Sequence, residues 1–167
     1  IGANQDAVFD LTVTNTVAGT TQAAGYSFYE VVPQNTTFTA LTNGTTDCAL
    51  PAAAGTLCTI VVTNPVVAGA PQVLKATFHT VSPLAAGTTS IFNVATQTTT
   101  SPPPGCTSST TVCTSPPTTC PATNATCASV PTSTAAVTVV KSVDASTPNP
   151  IGANQDAVFD LTVTNTV

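Results

Sequence analysis

The sequence predicts an all-β protein: an immunoglobulin-like antiparallel sandwich followed by an extended Pro/Thr/Cys-rich linker. Three observations carry this reading. Apolar residues alternate with polar ones over short stretches, and no stretch shows the 3.6-residue period of a helix. Turn-forming residues separate these stretches across about 100 residues, the spacing of a small sandwich. The 17 residues IGANQDAVFDLTVTNTV stand at 1–17 and again, letter for letter, at 151–167. The chain therefore reads as one 150-residue period of a tandem array plus the opening of the next copy.

Over 7–17 the alternation sets Ala7, Phe9, Leu11 and Val13 on one face and Val8, Asp10, Thr12 and Thr14 on the other, as a half-buried antiparallel strand requires. The run YSFYEVVP puts Tyr26, Phe28, Glu30 and Val32 on one face and stops at Pro33. Residues 36–41 form a short strand around Phe38, and Asn43-Gly44 supplies a turn. Cys48 and Cys58 flank ALPAAAGTL; a disulfide closing that loop contributes ~2 to 3 kcal/mol in the chain-entropy model. Cys58 also opens the β-branched run CTIVVTN. QVLKATFHTV sets Leu74, Ala76 and Phe78 against Lys75 and His79, and SIFNVATQT, with Ile91, Asn93 and Ala95 on one face, closes the set.

Residues 99–133 differ in kind. They carry no charge, are dominated by Pro, Thr and Ser, and hold Cys106, Cys113, Cys120 and Cys127 at seven-residue spacing. Such a segment favours an extended polyproline course with no core of its own. Two disulfides in any of three connectivities would tie it down, and cross-linking to a neighbouring chain is the alternative. Zinc is disfavoured, because there is no Cys-x2-Cys pair and no nearby His. Alternation resumes at 136–143, where Val137, Val139, Lys141 and Val143 share a face. The expected division is a sandwich at 1–98 that lacks its own first strand, a disulfide linker at 99–133, and the first strands of the next repeat's sandwich at 134–167. Both chain ends read as cuts inside a longer array, in which a strand from one copy completes the next.

Only 5% of residues are charged, against about a quarter in ordinary soluble domains. With Lys75 and Lys141 as the only cations and a net charge of -5, there is no electrostatic footprint for nucleic acid or for an anionic membrane surface. No apolar run reaches the roughly 18 residues of a membrane span. Six cysteines without metal-type clustering point to an oxidising, extracellular setting on the cell surface. Three sequons, at Asn35, Asn43 and Asn124, and the Ser/Thr/Pro stretch at 98–134 read as glycan attachment sites that would keep so neutral a surface in solution.

Taken cyclically, VTVVKSVDASTPNPIGANQDAVFDLTVTNTV, then YEVVPQNTTFTAL, then PLAAGTTSIFNVAT, resembles the immunoglobulin-like repeat domain of giant bacterial and archaeal surface proteins. The matching pieces are a Lys at the start, a strand ending in Val-Thr-Asn, an acidic residue before Val-Val-Pro, and an Asn-x-Ala near the end. The resemblance leaves out the Cys-rich linker, and the rarity of charge and the Cys48/Cys58 loop depart from it. It implies a structural or adhesive module rather than an enzyme.

Lys141, Glu30 and Asn93 each fall on an apolar strand face, in a chain with two lysines and one glutamate. Burial pushes a lysine pKa down and a glutamate pKa up, because it disfavours both charged forms. A neutral amine beside a carboxamide polarised by a protonated carboxyl can form a Lys–Asn amide with loss of ammonia. The order first strand, middle strand, last strand is similar to that of self-cross-linked pilin domains. An isopeptide between Lys141 and Asn93 of adjacent copies, with Glu30 as catalyst, is therefore expected; the bland alternative is an ordinary buried ion pair of Lys141 with Glu30. Lys75, on a polar face, is the solvated control.

Asp144, Asn149, Asn154 and Asp156 offer oxygen ligands for calcium at the repeat junction, although Asn and Asp are also what turns use. His79 has no Ser or Asp at a recognisable catalytic spacing, and no constellation for an enzyme is present. No metal or cofactor is expected. The chain reads as a structural repeat unit of an extracellular filament or stalk, its partners being copies of itself. The alternative is an adhesin or surface-binding module using the Thr12, Thr14 and Thr16 row.

Overall fold

The computed structural model describes residues 1–98, 102–122, 124–133, 137–148 and 155–165, in two compact units, Ile1–Thr132 and Ser133–Val167. The first is all-β. Its strands are β1 (Asp6–Val13), β2 (Thr21–Gln22), β3 (Ser27–Val31), β4 (Thr36–Thr42), β5 (Gly44–Thr46), β6 (Ala52–Ala53), β7 (Leu57–Val62), β8 (Val66–Val67), β9 (Gln72–Thr80), β10 (Ser90–Gln97) and β11 (Ala125–Pro131). One sheet runs β1-β9-β4-β6 and the other β11-β10-β3-β7-β5, every pairing being antiparallel. β2 and β8 form a separate two-stranded ribbon.

Both sheets turn their alternate apolar residues onto one core. Ala7, Phe9, Phe38, Leu74, Ala76 and Phe78 come from the first sheet, and Phe28, Ile60, Val62 and Ile91 from the second. Phe78 is the hub: it stacks on Phe38 at 4.9 Å and takes the edge of Phe9 at 5.8 Å, geometries that the aromatic quadrupole favours. On the opposite, wet face of β1 and β9 the register sets Asp10 across from Lys75 and Asp6 across from His79. Lys75 Nζ reaches Asp10 at 2.7 Å and His79 Nδ1 reaches Asp6 at 2.8 Å, both exposed pairs. Lys75 thus has the solvated position its polar face predicts.

β1 ends at Val13, short of the strand to Val17 that the alternation predicts. Asn15 takes over the backbone there: its Oδ1 accepts from Val17 N, and its Nδ2 donates to the carbonyls of Thr20 and Val66. At the expected Asn43-Gly44 turn the chain leaves one sheet for the other, β4 belonging to the first and β5 to the second. Asn43 has φ 61° and its Nδ2 donates to Val73 O. Gly44 is needed for another reason: a Cβ there would run into Leu74 Cδ2 and crowd the Val61 carbonyl.

The segment expected to lack a core has structure. β11 pairs with β10 from Ser90↔Pro131 to Thr96↔Ala125, so the sandwich extends beyond residue 98. Upstream of it, the loop closed by Cys106–Cys113 straps the start of β7. Thr110 N donates to Leu57 O, Leu57 N to Thr111 O and Cys113 N to Gly55 O. Cys113 packs on Val31 and Leu57, which point away from the main core. The cause lies in β7: both faces of LCTIVV are apolar, a sign of burial on both sides. The Pro/Thr-rich loop is what buries the outer one.

The second unit contains β12 (Val137–Val143) and β13 (Phe159–Asn165), an antiparallel pair with Lys141 opposite Leu161 and Val143 opposite Phe159. β13 repeats residues 9–15 of the first copy. Phe159 is 47% exposed where its counterpart Phe9 is 6% exposed, because a two-stranded sheet cannot cover an apolar face. Among the described residues no helix is long and apolar enough to cross a membrane.

Candidate functional site: an open strand edge beside a buried Glu-Asn pair

Glu30 sits on the core face of β3 with no exposed surface, and Asn93 is 3% exposed on the core face of β10. The register explains their proximity: Glu30 pairs directly with Ala95, two residues from Asn93 on the same face. Among the described residues, neither Glu30 oxygen has a hydrogen-bond partner, nor does Asn93 Oδ1. Burial holds the Glu30 carboxyl well above the usual carboxylate range, and the Asn93 side chain, close by without a well-formed bond, offsets this only in part. Burial without a partner thus favours the neutral form of Glu30, with its hydrogen-bonding capacity unused. Leaving such groups unmatched costs ~1–3 kcal/mol each.

Next to this pair lies a groove of about 650 Å³, walled by Leu11, Val13, Tyr26, Phe28, Val66 and Ala95. Phe28 and Ala95 are the flanking core-face neighbours of Glu30 and Asn93 along their strands, so the polar pair stands just inside the groove's wall. Above the groove, among the described residues, β1 pairs only with β9 and its other edge carries no strand. Thr12, Asn15, Gln22 and Thr126 line the groove as well, so its wall is mixed; a free edge with an open groove beneath it is a template for a further strand.

Lys141, the third residue expected at this site, belongs to the second unit. Its Nζ lies 4.1 Å from the centroid of the Phe159 ring, a cation–π contact. Lys141 thus shares a face with Phe159 and Leu161, whose counterparts Phe9 and Leu11 face the core in the first copy.

The cysteines form Cys48–Cys58, Cys106–Cys113 and Cys120–Cys127, each linker cysteine pairing with its neighbour in sequence. Three disulfides in a small all-β unit fit an oxidising environment. Of the three sequons, Asn43 and Asn124 are exposed, while Asn35 is half-buried and donates from Nδ2 to Thr88 Oγ1. At the proposed calcium junction, Asp144 accepts from the Ser146 amide and hydroxyl, which lower its pKa. Asn149 and Asn154 lie outside the described residues, and among the described residues no group of three or more His, Cys, Asp and Glu could hold a metal.

The sequence left the strap over Val31 and Leu57 unread. The signal was present in the doubly apolar LCTIVV, but a Pro/Thr-rich stretch gives no periodicity to pair with it. No protein-family model, curated protein or solved structure matches this chain.

Proposed function

We propose that this chain is a structural repeat unit of an extracellular surface filament or stalk, built on an immunoglobulin-like sandwich and joined to further copies of itself. In this reading a strand from one copy completes the sandwich of the next. One observation carries it: β12 pairs with β13, the second copy of the sequence that forms β1, while β1 in the first sandwich keeps that edge unpaired. The strand running up to Asn165, where β1 stops at Val13, supports the same conclusion. Three disulfides suit a unit that must survive outside the cell. The Thr-row alternative has less support, since Asp10 and Lys75 interrupt that face beside Thr12.

The test is a chain lengthened by one period, residues 1–150 followed by 1–132, in which only the second sandwich is preceded by residues 137–143. An added strand pairs the free backbone edge of β1 and covers apolar surface beside it, so the completed sandwich should be the more stable of the two. Calorimetry should resolve a second transition several degrees above the first, at about 4 °C per kcal/mol of net gain. A single transition at the temperature of the 167-residue chain rejects strand completion.

Glycans belong to the same reading. Material from the native source should carry sugar at the exposed Asn43 and Asn124 in preference to Asn35, because attachment needs an accessible side chain and Asn35 is half-buried. Peptide mapping with Asn35 as the principal occupied site would contradict this.

A further inference from the structure

We infer that the free edge of β1 and the groove beneath it form a socket for residues 137–143 of the preceding copy, in the register of β12 on β13, so that the incoming Lys141 arrives at Glu30 and Asn93. This rests on the proposed strand completion and gives it a residue-level address.

The register transfers directly, because 159–165 and 9–15 are the same sequence. Val143 then lies opposite Phe9, Lys141 opposite Leu11, and Thr138 opposite Thr14. Directly opposed residues of an antiparallel pair point to the same face. Leu11 packs against the core cluster, so Lys141 enters on the core side. Leu11, Phe28 and Ala95 line the same groove, and Glu30 and Asn93, each two residues along its strand from Phe28 or Ala95, carry the unmatched polar atoms, so the register brings Lys141 to the groove that borders them. A lysine without a partner would be costly there, and a carboxyl and a carboxamide with spare acceptor atoms are the groups that offset the cost. The fit is reciprocal: the socket has spare acceptor atoms, and the strand brings a donor.

Two measurements on the lengthened chain decide it. Thr138→Cys in the connecting strand should form a disulfide with Thr14→Cys of the second sandwich and not with Thr12→Cys, as mapped by non-reducing peptide mass analysis. Acylation of the native protein should label Lys75 in both sandwiches and leave the Lys141 between them at least tenfold less reactive than in the 167-residue chain, where Lys141 is exposed. A disulfide of Thr138→Cys with Thr14→Cys while Lys141 stays fully reactive overturns the lysine site, and strand completion stands. A disulfide of Thr138→Cys with Thr12→Cys overturns the register. Absence of either bond, with Lys141 reactive, overturns the socket, and with a single unfolding transition it removes strand completion as well.

Discussion

Glu30→Gln should stabilise the 167-residue chain at neutral pH and destabilise a sandwich that has received its neighbour's strand. In the first case Glu30 is buried without a partner, and burial raises its pKa in the folded state above the roughly 4.3 of an unfolded chain. The folded protein then holds a proton that the unfolded chain releases. Stability from this group is complete below about pH 4 and falls as pH rises through the folded-state pKa. Gln has no charge to develop, and its Nε2 can donate to the unmatched Asn93 Oδ1, so the variant should gain about 1–3 kcal/mol at pH 7. Urea midpoints across pH 4 to 8 should slope downward for the wild type and be flatter for the variant. In the lengthened chain the same change in the second sandwich takes away the carboxyl that the incoming Lys141 meets, and leaving a buried lysine without it costs at least ~1–3 kcal/mol. Parallel pH curves for the two proteins, or a change of the same sign in both sandwiches, would defeat the assignment.

That reversal of sign depends on residues whose placement the sequence made legible and on others it hid. Period-2 alternation put Glu30 on the face of Phe28 and Asn93 on that of Ile91, and the fold brings those faces together, because alternation is a local signal that tertiary packing preserves. The letter-for-letter recurrence of 1–17 gave the identity of β13, and with it a way to read the register of a strand for the first sandwich. β11 and the Cys106–Cys113 strap were not legible. A stretch such as ATCASVP owes its strand to the edge of β10 and to the Cys120–Cys127 tie, and neither is visible in its own residues. The corner at Gly44 was half legible: Asn-Gly marks a turn, but the reason for glycine is the approach of Leu74, thirty residues on. Long-range contacts, not propensity, decided each of these.

Where Lys141 meets Asn93 under a neutral Glu30, we propose that the encounter goes on to a covalent bond, and this is the largest effect expected. Deprotonated Lys141 Nζ attacks Asn93 Cγ; the new C–N amide forms, the bond from Cγ to Nδ2 breaks, and ammonia leaves. Glu30 protonates the carboxamide, takes the proton from the attacking nitrogen and passes it to the departing one, ending as it began, so no oxidant or cofactor is consumed. The intact mass of the lengthened chain should be lower than its sequence mass by one ammonia, about 17 Da. Digestion should yield one branched peptide joining Lys141 to Asn93 of the second sandwich. Lys141→Ala, Asn93→Ala and Glu30→Ala should each restore the full mass, while Lys75→Ala, at a solvated ion pair, should leave the loss in place. A cross-link closing a loop of about 100 residues contributes ~4–5 kcal/mol in the chain-entropy model, so the linked sandwich should be the last to unfold and should keep its strand even when unfolded. Full mass with Lys141 protected from acylation means that an ordinary ion pair holds the strand and that no amide forms. Between those two masses lies the difference between a stalk whose beads can be pulled apart and one in which the strand stays tied to its neighbour under load.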